Sequence, residues 1–268
     1  VPIGVFGMAA GVAAYPTISR LVARGDIPEA YSLLRRAVRL MLALTFAAQV
    51  CLTVAGFEAA YLIWGLFANR FTTADAEATG VVLAFLSLGL SGWAAQTLIG
   101  RGFYALGSTW PPTLLGTAIA ALSLPLYVVF RQHWGAIGLA VASAIAILAY
   151  VLALGLLQRR RFVREAAARG CALKDEPGMF DAAVRLGASA ALAIAFGLAA
   201  RAALVGVLPG TGLFALLARA SLLCALGLSV YAGAARLLGV REIVEIERTI
   251  LRKLRLRRPA GPNLGETT

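Results

Sequence analysis

Long apolar runs separated by short charged stretches set the pattern of this chain. A window of about 19 residues marks seven of them: Val1 to about Ile18, about Leu40 to Ala55, about Thr79 to Leu98, Pro112 to Phe130, Ala136 to Leu157, Leu186 to Val207 and Leu213 to Leu238. Runs of this length predict helices, because in lipid only helices or closed barrels satisfy the backbone and strands are far shorter. The polar positions between the runs alternate in kind. The stretch after the first run carries Arg20, Arg24, Arg35, Arg36 and Arg39, that after the fifth Arg159, Arg160, Arg161, Arg164, Arg169 and Lys174, and that after the seventh Arg236, Arg241 and a dense run to Arg258. The third run ends at Arg101, whereas the stretches after the second, fourth and sixth hold few basic residues. Cytoplasmic loops collect Arg and Lys, so every second loop is assigned to the cytoplasm, with Val1 toward the outside and Thr268 inside.

Local chemistry sharpens several boundaries. Thr72-x-x-Asp75 predicts a capping box that starts the third helix on the outer side. Ser108-Thr109-Trp110-Pro111-Pro112 reads as a tight inner turn with a hydroxyl cap and Pro at the first helical positions. Leu208-Pro209-Gly210-Thr211-Gly212 is the outer turn between the last two helices. Pro16 is expected to kink or end the first helix, and Gly7-x-x-x-Gly11 gives that helix a small-residue face for close packing. A kinked, Gly-rich helix can also be a moving part of a transporter, so Gly7, Gly11, Pro16 and Arg101 are the gating or packing candidates. After the seventh run Ile243, Ile246, Ile250 and Leu254 recur at helical spacing among charges. That pattern predicts an amphipathic helix on the anionic inner leaflet, followed by a disordered end.

Composition agrees with the pattern and removes alternatives. The 268 residues are 60% apolar and 14% charged, with mean hydropathy +0.82, against about 45–50% apolar and about 25% charged in soluble domains. The net charge of +12 and the pI near 10.6 are explained by the cytoplasmic loops, and nucleic acid is not the expected partner. Cys51, Cys171 and Cys224 lack disulfide or metal-ligand spacing, and a single His133 excludes a multi-His site. No cofactor is therefore expected. The opening Val1-Pro2-Ile3-Gly4, already apolar and without Met, reads as a fragment of a longer protein.

Two charged positions stand out. Arg201 lies six residues before Val207 and Arg219 six after Leu213, each about 9 Å from a helix end. The simplest reading is that both snorkel to the outer headgroups. The functional alternative is that two guanidiniums on neighbouring helices hold the phosphate of an anionic lipid. The carboxylates are read as loop residues, Glu58 among them, so no catalytic constellation is expected and the chain is not read as an enzyme.

Five strings in order then carry a resemblance. Val1-Pro2-Ile3-Gly4-Val5-Phe6-Gly7-Met8-Ala9 closes with Pro16-Thr17-Ile18-Ser19-Arg20; Gly25-Asp26 leads into a basic amphipathic segment; Leu66-Phe67 precedes Phe71-Thr72 and Asp75; Arg101-Gly102-Phe103-Tyr104-Ala105-Leu106-Gly107 precedes a Pro-containing turn; and Gly135-Ala136-Ile137-Gly138-Leu139-Ala140 completes the set. Together they resemble the MurJ/MviN lipid II flippases of the bacterial inner membrane. The chain departs from the family in lacking the Gly between Leu-Phe and Phe-Thr and in its neutral 108–112 turn. The resemblance implies an all-α polytopic transmembrane bundle, the C-terminal part of a two-lobe, fourteen-helix flippase of the multidrug/oligosaccharidyl-lipid/polysaccharide exporter type. Residues 1–160 would then be the last five helices of the second lobe, 161–185 a basic cytoplasmic loop, 186–240 the final pair that forms a lipid groove, and 241–268 the cytoplasmic amphipathic tail. It further implies a flippase of lipid II, the lipid-linked peptidoglycan precursor, working by alternating access in the inner membrane.

The partners so implied are lipid II or a related polyprenyl-pyrophosphate lipid, anionic inner-leaflet lipids and an N-terminal lobe absent here, without which the fragment is expected to be inactive. The family's cavity arginines fall upstream of this chain, which leaves Arg201 and Arg219 as the lipid-phosphate candidates. Two alternatives remain: a flippase or exporter for another polyprenyl-linked saccharide or a drug, and a membrane scaffold whose basic tail recruits a partner.

Overall fold

The computed structural model describes residues 14–65, 70–173, 178–240, 242 and 243, and the regular structure among them is entirely helical. In chain order these are α1 (residues 14–23), α2 (Ile27–Val54), α3 (Gly56–Ala60) followed by a single π-helical turn (Tyr61–Gly65), α4 (Thr73–Ser87), α5 (Leu90–Ala105), α6 (Trp110–Ala168), α7 (Met179–Val207) and α8 (Leu213–Leu237). Among the described residues five stretches are long and apolar enough to cross a membrane: α2, α4 with α5, α6, α7 and α8.

One of these five supplies two crossings. At 1.5 Å per residue a straight α6 would run about 88 Å, against a hydrocarbon core about 30 Å thick. It does not run straight: Gly135, at φ 57° and ψ −129°, reverses the chain inside it. The limbs 110–134 and 136–168 lie side by side, since the Tyr150 hydroxyl donates to the Pro112 carbonyl at 3.1 Å. The second to seventh apolar runs thus each have a helical counterpart. The first lies mostly outside the described residues, as do Gly7 and Gly11.

Several boundaries match their sequence signals and others do not. Thr72 caps α4 in both directions, with Asp75 N–H donating to its hydroxyl at 3.2 Å and its own N–H donating to the Asp75 carboxylate at 2.8 Å. Thr109 precedes α6 but makes no side-chain cap. A cap hydroxyl accepts from the second or third N–H of a helix; here those residues are Pro111 and Pro112, which have none. Gly107, at φ 68°, instead closes the preceding helix, with Ser108 N–H returning to the Phe103 carbonyl at 3.0 Å. Pro16 does not end α1, whose helical residues continue to 23; the bond a proline forfeits is to the residue four earlier, so the turns after it are unaffected. The third run is broken at Leu88 and Gly89, where both N–H groups bond three residues back and Ser87 Oγ donates to the Ala84 carbonyl at 2.7 Å, a pattern that bends helices.

Helix α2 is the centre of the bundle, with α4, α5, α7 and α8 against it. Small residues admit the close approaches: a Cβ on Gly227 would stand 2.9 Å from Val50, and one on Gly197 would press on Val54. The Tyr231 hydroxyl crosses from α8 to the Ala43 carbonyl of α2 at 2.9 Å, with Tyr231 only 2% exposed. That carbonyl keeps its place in the helix ladder without the tyrosine, so Tyr231→Phe is expected to cost about 0.5–1.5 kcal/mol. A small fall in the thermal midpoint of the detergent-solubilised protein checks this; a fall as large as that for a buried ion pair would contradict it.

The alternation of loops is realised in space. The N-terminal part of α2, the end of α5, the end of α6, the start of α7 and the end of α8 share one end of the bundle, the one rich in arginine. There Arg185 Nη1 donates to the Leu238 carbonyl at 3.0 Å and Gln158 of α6 donates to the Ile99 carbonyl of α5. Arg39 pairs with Glu242, and Ile243 is buried in the same core. Glu242 and Ile243 thus face protein, and Arg39 offers Glu242 a partner that lipid does not. The rest of the tail lies outside the described residues.

Candidate functional site

At the other end of the bundle the chain between α2 and α4 makes a charged cluster. Helix α2 stops at Ala55 (φ −107°, ψ 19°), and the next residues form only the short α3 and the π turn. This irregular piece lies backbone to backbone on α4. A Cβ on Gly80 would be 2.9 Å from the Phe57 nitrogen and 3.1 Å from the Gly56 carbonyl carbon, so only glycine permits the approach. With that side of α3 held by α4, Glu58 meets α7 and α8 and is 0% exposed.

Two guanidiniums converge on it. Arg219 Nε of α8 is 3.5 Å from Glu58 Oε1, and Arg201 Nε of α7 is 3.7 Å from the same oxygen. Arg219 Nη1 also donates to the Leu208 carbonyl at 3.2 Å, which ties the cluster to the α7–α8 turn. The Phe57 ring lies 5.2 Å from the Arg201 guanidinium carbon and 6.0 Å from that of Arg219, within cation–π range. Neither Glu58 oxygen nor either Nε makes a hydrogen bond among the described residues. The attraction is thus Coulombic, which at such range is strong away from water and weak in it.

The two arginines differ in access. Arg219 is 3% exposed, so the expectation that it snorkels to headgroups is overturned: Glu58 and the Leu208 carbonyl offer it partners inside the protein. The Arg201 side chain is 30% exposed and borders a cavity of about 540 Å³. Val54, Val81, Phe85 and Leu198 make most of that wall apolar, and Glu77 and Arg201 bring charge to it. An apolar slot with a half-exposed guanidinium suits an amphiphile with an anionic group.

Of the other sequence candidates, Arg101 is half-buried in α5 at the arginine-rich end, away from this cluster. Pro16 is in α1. The residues that the sequence reading missed are Glu58, taken for a loop carboxylate, and Phe57. Among the described residues no three His, Cys, Asp or Glu side chains meet as a metal site.

Comparisons with known proteins point one way. The family model described as lipid II flippase MurJ matches residues 1–230. The chain is 30% identical over 149 residues to a probable lipid II flippase MurJ of Rhizobium tropici, covering 54% of this chain and 27% of that protein. It is 27% identical over 145 residues to the probable lipid II flippase MurJ of Rhizobium meliloti (strain 1021), with the same coverage. Among solved structures, a lipid II flippase MurJ in an inward closed conformation superposes with a TM-score of 0.62 at 18% identity, over 91% of this chain and 45% of that one. At that identity the likeness establishes the fold alone. The matched part of the chain thus spans about a quarter of each curated relative and less than half of the solved structure.

Proposed function

Because the chain belongs to the lipid II flippase MurJ family, we propose that it takes part in carrying a lipid-linked peptidoglycan precursor across the bacterial inner membrane. The observation that carries this reading is the family match over residues 1–230. The activity belongs to a complete two-lobe protein, in which the helices from α1 to α6 form one wall of an alternating-access cavity and α7 with α8 a lipid groove beside it. The gathering of the basic loops at one end supports placing that end, and the C-terminus, in the cytoplasm. Anionic lipids of the inner leaflet are the natural ligands of Arg159, Arg160, Arg161 and Arg164, all exposed there.

Within this reading Arg201 makes the lipid-phosphate contact, and Arg219 supports it from behind Glu58. Arg201→Ala with Arg219→Ala in the full-length protein is expected to lower complementation of a flippase-depleted bacterium and lipid II translocation in vesicles at least tenfold, the loss of about 1.4 kcal/mol of transition-state binding. Translocation at the wild-type rate with normal protein levels would remove both residues from the substrate path. Failure of the wild-type protein to complement would remove the flippase reading itself.

A further inference from the structure

We propose that Glu58 is a resident counter-anion, and that Arg201 exchanges it for the phosphate of a lipid entering the adjoining cavity. The inference rests on the reading of Arg201 as a lipid-phosphate contact and adds what holds the arginine when no lipid is there.

Charge balance is the first argument. Two guanidiniums face one buried carboxylate, at 3.5 Å and 3.7 Å, and the other acid on the cavity wall, Glu77, is exposed, so the buried cluster is one anion short. Supplying one negative charge from outside completes it: Arg219 keeps Glu58 and Arg201 takes the newcomer. Uncompensated charge away from water is costly; before the exchange the two cations share Glu58, and after it each has an anion of its own.

Asymmetry of access is the second. Glu58 is sealed at 0% exposure and cannot follow a departing partner. Arg219 is anchored on the Leu208 carbonyl as well as on Glu58, and it is only 3% exposed. Arg201 alone of the three borders the cavity, and its Nε makes no hydrogen bond among the described residues. The Phe57 ring, 5.2 Å from its guanidinium carbon, gives it a surface to turn on without losing cation–π contact. Phosphate oxygens would offer the bidentate hydrogen bonds that Glu58 does not make, and the wall of Val81, Phe85 and Leu198 takes the chains of the same lipid. The ligand class is thus an anionic phospholipid or polyprenyl phosphate, recognised by its phosphate and tail together.

The test is lipid binding at this cavity in the full-length protein in nanodiscs, read as photo-crosslinking to α7 so that lipid held by the arginine-rich end is not counted, with photoactivatable dioleoyl phosphatidic acid as probe and the matching dioleoylglycerol, which has the same tails and no phosphate, as control. Arg201→Gln is expected to weaken phosphatidic acid binding about tenfold and leave dioleoylglycerol unchanged. Glu58→Gln combined with Arg219→Gln keeps the net charge of the cluster and frees Arg201, so phosphatidic acid is expected to bind about tenfold tighter. A residue that only props up the fold would give a loss, not a gain. Should that double variant not fold, Glu58→Asp, which draws the carboxylate back by one methylene, is expected to tighten binding about threefold. Unchanged or weaker binding in the folded counter-anion variants, with Arg201→Gln still defective, overturns the exchange and leaves the phosphate contact standing. Unchanged binding in Arg201→Gln overturns both.

Discussion

Glu58→Ala is expected to destabilise the bundle by about 3–5 kcal/mol, the range for removing one partner of a buried ion pair. The truncation leaves Arg219, 3% exposed, with a carbonyl for a partner and no counter-charge, and Arg201 close to a second cation. The mechanism makes the effect asymmetric. Arg201→Ala removes a cation from a cluster that has one to spare, and the Arg201 side chain is 30% exposed, so its cost is far smaller. Glu58→Leu together with Arg219→Met replaces both buried charges by apolar groups, which is often neutral or stabilising. Thermal unfolding of the detergent-solubilised full-length protein, followed by loss of the monodisperse peak, checks the order: Glu58→Ala lowest by a wide margin, the apolar double variant near wild type. A Glu58→Ala protein that melts with wild type would mean that the carboxylate does not compensate the arginines.

This cluster marks where the sequence ran out. Apolar runs are read at the level of single segments, and each run from the second to the seventh is matched by helix, the third by two pieces, because a membrane-spanning helix satisfies its own backbone and needs no partner to be recognised. The Thr72–Asp75 box was legible for the same reason: its donors and acceptors lie within four residues of one another. Glu58 was not, because its environment is made by residues 143 and 161 positions away along the chain, Arg201 and Arg219. Its near neighbours alone make it look like any carboxylate between two spans. One signal was available: two arginines near the ends of adjacent helices demand an anion at the same end, and Glu58, just past the second run, is a carboxylate on that side. Thr109 fails in the opposite way. Its hydroxyl has the right chemistry for a cap, and it was the identity of the next two residues that removed the donors.

The largest purely conformational effect is expected at the reversal inside α6. Gly135 has φ 57° and ψ −129°, a region in which side chains are strained by about 1–3 kcal/mol, although a Cβ there would meet nothing within 4 Å. Gly138 poses the opposite problem: it starts the returning limb with ordinary helical backbone, but a Cβ on it would collide with the Phe130 carbonyl oxygen of the outgoing limb. Backbone on both sides cannot move aside, so Gly138→Ala is expected to open the hairpin and cost more than Gly135→Ala. It should do so although alanine is favoured over glycine in a helix by about 1 kcal/mol, which makes the sign of the result informative. Gly116→Ala is the internal control, because its Cβ would rest against the Tyr150 ring at an ordinary 3.5 Å while gaining the same helix propensity. Thermal midpoints should therefore fall in the order Gly116→Ala, at or above wild type, then Gly135→Ala, then Gly138→Ala, with the last also losing monodispersity. If Gly138→Ala melted with Gly116→Ala, the two limbs would not meet at Phe130, and α6 would have to reach its second crossing by another turn.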